Sequence, residues 1–124
     1  MKNYIAVCVL LLIGLWGGAA YAGDTRQGYF SALPDLPLMS GMDEVEDQTF
    51  VFDKAEGRVI ETAGFLAVTP EKDPQTYYSE ILGQLGWKPL KSGLFTRGSE
   101  QLVVIVRKVH GGMLVKFYLT PLSS

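Results

Sequence analysis

The chain has 124 residues, a formal charge of −2, 48% hydrophobic residues and a single cysteine, Cys8. That length holds one domain with a core of its own. One cysteine excludes an internal disulfide framework, and a balance this close to neutral offers no general attraction for nucleic acid.

Residues 1–22 read as a secretory signal. Met1-Lys2-Asn3-Tyr4 is a short positive start, Ile5 to Trp16 is an apolar run, and Ala20-Tyr21-Ala22 places small residues where a signal peptidase cuts. Cleavage is expected before Gly23 and leaves an exported domain of 102 residues. The alternative is an uncleaved anchor, for which Ile5–Ala22 gives 18 residues with three glycines, the lower edge of a bilayer span. Cys8 leaves with the signal, and Gly23 stands where a lipoprotein signal carries its cysteine. The expectation is a product with no stable membrane insertion after cleavage, periplasmic in a Gram-negative source and otherwise secreted.

Residues 23–47 form an extended, proline-containing lead-in. Gly23–Gly28 is polar, and Leu33-Pro34-Asp35-Leu36-Pro37-Leu38-Met39 is punctuated by residues that lack a donor and disfavour helix before them. This stretch is expected to run over a surface outside any ladder, with Leu33, Leu36, Leu38 and Met39 packing down. Asp43-Glu44-Val45-Glu46-Asp47 then concentrates four acids.

The folded part is expected over 48–124. Gln48–Asp53 alternates, with Phe50 and Phe52 on one face and Thr49 and Val51 on the other. Lys54-Ala55-Glu56-Gly57 reads as a hairpin loop. Arg58–Val68 is a second strand with Gly64 as a candidate bulge. A helix follows, capped by Thr69 or Asp73 with Pro70 or Pro74 in its first turn. Tyr77, Tyr78, Ile81, Leu82 and Leu85 line its apolar stripe. Gly86 suits a left-handed stop, with Trp87 folding back on Leu82.

Lys88–Arg97 reads as one strand bent at Lys91-Ser92-Gly93. Gln101–Val109 is apolar on both faces, as for a central strand covered on both sides. His110-Gly111-Gly112 is a turn, and Met113–Thr120 alternates cleanly up to Pro121. The order β-β-α-β-β-β gives an α+β fold: two layers, one helix on an antiparallel sheet of about five strands ending in a meander.

Candidate chemistry is sparse. His110 lies in a flexible turn, and no serine has a Gly-x-Ser-x-Gly setting. The crowded acids lack the unequal environments that acid–base work needs and the ligand spacing of a calcium loop. Met39, Met42, His110 and Met113 sketch a soft copper site, but methionines in so apolar a chain serve as core filler. No catalytic, cofactor or metal residue is assigned. Tyr77, Tyr78, Trp87, Phe95, Phe117 and Tyr118 line either a ligand pocket or the core.

Charge is unevenly placed. Residues 23–73 hold 11 acids and 4 bases, and residues 74–124 hold 2 acids and 6 bases. Two readings follow. The acidic run lies across the basic strands of its own molecule, or Arg97, Arg107, Lys108 and Lys116 form an interaction surface.

Leu36-Pro37-Leu38 leading to Gly41, Tyr78-Ser79-Glu80-Ile81-Leu82, and Leu85-Gly86-Trp87 together resemble a group of small exported bacterial proteins of unknown function. The resemblance implies a proline-glycine lead-in and a helix ending in Leu-Gly-Trp before a β-meander, and it transfers no catalytic residue. The function expected is an exported, non-catalytic module that binds a protein or cell-envelope partner. The alternatives are a small apolar-ligand or lipid binder using the gap between helix and sheet, and an enzyme of unstated type.

Overall fold

The computed structural model describes residues 28–122. The expected signal, its cleavage point and the alternative anchor lie outside them. Among the described residues no helix is long and apolar enough to cross a membrane.

The strands are β1 (Met42–Glu44), β2 (Phe50–Lys54), β3 (Gly57–Leu66), β4 (Lys88–Lys91), β5 (Leu94–Arg97), β6 (Glu100–Val109) and β7 (Gly112–Pro121), with helix α1 (Pro74–Gln84) between β3 and β4. They form one antiparallel sheet in the order β1-β3-β7-β6-β5-β4, with β2 also beside β3. β1 lies against Gly64–Leu66 and β2 against Gly57–Glu61 of the same long strand. A 3₁₀ turn, Glu46–Gln48, carries the chain from one to the other. The fold is α+β, with one α-helix among the described residues.

The sheet has seven strands where about five were expected. One addition is β1, which lies in the segment read as lead-in. The other comes from Lys88–Arg97, which is two strands and a reversal instead of one bent strand. Gly93 makes the reversal with φ +78°, a conformation that favours glycine. Its carbonyl accepts from the Val104 N–H at 2.8 Å, which sets β5 against β6.

The pleat sends successive side chains to opposite faces. The core cluster lies on one of them, the inner face, Ala63 being the buried apolar residue on the other among the described residues. Ile60, Leu66, Phe95, Leu102, Val104, Val115, Phe117 and Leu119 are buried on this inner face. α1 covers it with Tyr78 and Leu82, and the lead-in covers it with Phe30, Leu33, Leu36 and Met39. Phe117 meets Phe30 edge-on at 5.1 Å and Tyr78 at 4.9 Å, so sheet, lead-in and helix share one aromatic centre. The Tyr78 hydroxyl donates to the Pro37 carbonyl at 2.8 Å, and burial raises its pKa well above the usual tyrosine value.

The lead-in folds on itself before reaching β1. The Phe30 N–H donates to Leu36 and the Leu38 N–H to Gly28, and Tyr29 bridges Pro37. Apart from that isolated bridge the part before β1 stays outside the ladder, as two prolines within five residues would dictate.

Asp73 is the helix cap, its carboxylate accepting from the Thr76 N–H at 3.1 Å, with Pro74 at the first helical position. The stop has both reversed bonds of a Schellman motif: Trp87 N–H to Leu82 at 2.9 Å and Gly86 N–H to Gly83 at 3.2 Å. Gly86 has φ +91° and Trp87 is buried.

Gly64 is not a bulge. The register passes through it unbroken, Glu44 on one side and Val115 on the other. A Cβ there would collide with the Met42 side chain and lie 3.2 Å from the Phe30 ring, so close approach requires the glycine. β6 is interior to the sheet but covered on one face only. Leu102 and Val104 are buried, while Val103 and Ile105 on the other face are half-exposed.

Candidate interaction surface

The outer face of the sheet carries Phe50, Phe52, Glu61 and Phe65 from β2 and β3, then Leu114, Lys116 and Tyr118 from β7, and Val103, Ile105 and Arg107 from β6. Among the described residues, none of the buried hydrophobic cluster lies on this face. Phe50 is 53% and Phe52 47% exposed, their rings stacked at 6.1 Å. The aromatic residues expected to be either pocket or core therefore divide. Tyr78, Trp87, Phe95 and Phe117 are buried, Tyr77 packs against them, and Tyr118 points the other way.

At the break between β1 and β2 the outer face sinks into a groove of about 400 Å³ lined by Asp47, Phe50, Glu61, Lys116 and Tyr118. The Lys116 ammonium lies 5.4 Å from the Tyr118 ring centre. This is a mixed surface, with the rings of Phe50 and Tyr118 beside the charges of Asp47, Glu61 and Lys116.

The four basic residues singled out in the sequence do not form one patch. Arg107 and Lys116 share the outer face, whereas Arg97 and Lys108 belong to the inner one. Arg97 has a structural task. Its guanidinium donates to the Leu85 carbonyl at 3.0 Å, lies 4.4 Å from the Trp87 ring centre and approaches Asp35 at 3.6 Å. It ties the helix end to the lead-in. Arg107 and Lys108 are exposed neighbours on opposite faces.

The acidic run divides as well. Glu44 accepts from the Ser31 N–H at 3.0 Å, the Ser31 hydroxyl at 2.6 Å and the Thr49 hydroxyl at 3.3 Å. Thr49 and the buried Thr62 share a further hydrogen bond at 3.0 Å. Glu44 thus pins the lead-in to β1 and β2, while Asp43, Glu46 and Asp47 are exposed. Among the described residues the ion pairs are Arg58–Glu100, Lys72–Glu80 and Arg97–Asp35. Each joins the acidic half of the chain to the basic half, yet none uses the run 43–47. Hydrogen bonding to Glu100, against some desolvation, holds the Arg58 pKa above its ordinary value.

Met39 and Met42 are core residues, and the Met42 sulfur accepts from the Tyr78 hydroxyl at 3.4 Å. His110 stands exposed in the β6–β7 turn. Between helix end, lead-in and sheet the packing leaves a void of about 10 Å³ beside Leu36, Leu82, Leu85 and Leu119. Ligand pockets run to roughly 300–1,000 Å³.

The exposed phenylalanine pair, which the charge pattern does not indicate, has its signal in Phe50-Val51-Phe52, two aromatics on one side of a short strand. No family model matches the chain, and neither a curated protein nor a solved structure does.

Proposed function

We propose that this is an exported, non-catalytic module that binds a protein partner of the cell envelope through the outer face of its sheet. One observation carries the reading. Over the centre of the sheet the inner face is covered by the helix and lead-in, while the outer face presents Phe50, Phe52, Tyr118 and Ile105 to solvent around a few charges. Large apolar side chains left uncovered together on one face mark places where something docks. Aromatic residues flanked by charge are the anchors such contacts use. Export is supported by the pattern of residues 1–22. The filled space under the helix favours a surface contact over a lipid or small-ligand cavity.

Tagged full-length chain, applied to an envelope extract, is expected to capture a partner. Ile105→Glu and Tyr118→Glu on the outer face should each weaken capture by at least about tenfold. Lys108→Glu on the opposite face should leave it unchanged. Capture that ignores Ile105 and Tyr118 but follows Lys108 would overturn the assignment.

A further inference from the structure

The two edges of the sheet are treated differently by the sequence. β4 is Lys88-Pro89-Leu90-Lys91, and a proline between lysines is how sheets block added strands. β2 is Phe50-Val51-Phe52-Asp53-Lys54, exposed at every position, with Val51 59% exposed and no proline.

The register fixes which backbone groups of β2 are free. The Val45 N–H donates to the Ala63 carbonyl, so the odd-numbered residues of β3 bond toward this edge. Their partners in β2 are Phe50 opposite Glu61, Phe52 opposite Val59 and Lys54 opposite Gly57. Thr49, Val51 and Asp53 therefore direct their backbone groups outward. The Thr49 N–H is taken by the Glu46 carbonyl at 3.0 Å. What remains is the N–H and C=O of Val51, the N–H and C=O of Asp53, and the carbonyl of Thr49.

Charge says what fits there. Glu46 and Asp47 stand exposed before β2, Asp53 and Glu56 stand exposed at its other end, and Glu61 lies behind Phe50. Lys54 is the base on the strand itself, and nearby Arg58 is engaged by Glu100 at 2.8 Å. A second copy would bring like charge against like. A cationic segment would meet carboxylates at both ends.

We propose that the free edge of β2 takes up an extended, basic segment of a partner protein as an added strand. Main-chain bonds to Val51 and Asp53 would hold it, and its apolar side chains would lie beside Phe50 and Phe52. This inference rests on the partner-binding reading above and names the kind of segment bound.

The test uses the full-length chain labelled with ¹⁵N and a short synthetic peptide alternating Lys with Val and Thr. A second peptide carries Glu in place of each Lys. At saturation with the Lys peptide, hydrogen exchange at the Val51 and Asp53 amides should slow by at least about tenfold, while Phe50 and Phe52, already bonded to β3, change little. The Glu peptide should bind at least about tenfold more weakly, and added salt should weaken the Lys peptide. Val51→Lys should keep the wild-type melting temperature and lose at least about tenfold in affinity for the Lys peptide.

No slowing at Val51 and Asp53, slowing along β4 instead, or equal affinity for both peptides would overturn the proposal. So would protection of these amides without peptide, accompanied by concentration-dependent sedimentation, since a second copy would then hold the edge. Envelope capture that is lost with Tyr118→Glu but survives Val51→Lys would sink the edge and leave the outer-face reading standing. Capture indifferent to both substitutions would sink the two together.

Discussion

Phe117→Ala should lower the unfolding free energy by about 3–5 kcal/mol, the range for deleting a fully buried aromatic ring. The ring is fully buried and touches two others edge-on, Phe30 from the lead-in and Tyr78 from the helix. Its loss removes transfer free energy, leaves a cavity and undoes a ring cluster that joins sheet, lead-in and helix. Tyr118→Ala is the matched control, one residue along the same strand but pointing to the outer face. It should destabilise by less than about 1.5 kcal/mol, since a half-exposed side chain gives up little burial. Urea unfolding of the two variants measures the difference, and equal losses would mean that both faces are packed.

Trp87→Ala is expected to have a comparable effect, about 3–5 kcal/mol. The indole is buried at the helix stop, and the Arg97 guanidinium lies over it while donating to the Leu85 carbonyl. Truncation removes the apolar plug and also frees a cation whose geometry fixes the lead-in through Asp35. Gly86→Ala, one residue earlier, should cost on the order of 1 kcal/mol through strain at positive φ. Thermal melts rank the two. A loss below about 0.5 kcal/mol at Trp87 would show the ring to be exposed and the stop to be held by its backbone bonds alone.

The parts of this fold that can be read from the sequence are those set by neighbours along the chain. Asp73-Pro74 opens the helix and Leu85-Gly86-Trp87 closes it, because capping and stop chemistry act within one turn. The hairpins around Ala55-Glu56 and His110-Gly111 follow from short polar or glycine loops between alternating strands. β1 was not legible. Three residues, Met42–Glu44, are a strand only because Gly64–Leu66 lies beside them, and pairing across twenty residues leaves no local mark. Gly64 carried a signal that admits two causes, and only the position of Met42 decides between a bulge and a close approach.

The surface was half legible for the same reason. Period-two alternation already separates Arg107 from Lys108 and joins Phe50 to Phe52. Which face the helix would cover depends on packing between distant elements. The sequence groups Arg97 with the other bases of its half, as a partner of the acidic run or part of an interaction surface, whereas its three partners, Leu85, Trp87 and Asp35, are all supplied by tertiary structure.

The account turns on one sheet having a covered face and a docking face, and hydroxyl-radical footprinting tests it side chain by side chain. In the free chain Phe50, Phe52 and Tyr118 should oxidise readily, while Phe30, Tyr78 and Phe117 should resist. With the captured partner bound, oxidation of Phe50, Phe52 and Tyr118 should fall and the buried set should not change. Oxidation of Phe117 as fast as Tyr118 in the free chain, or outer-face residues left fully reactive in the complex, would contradict it.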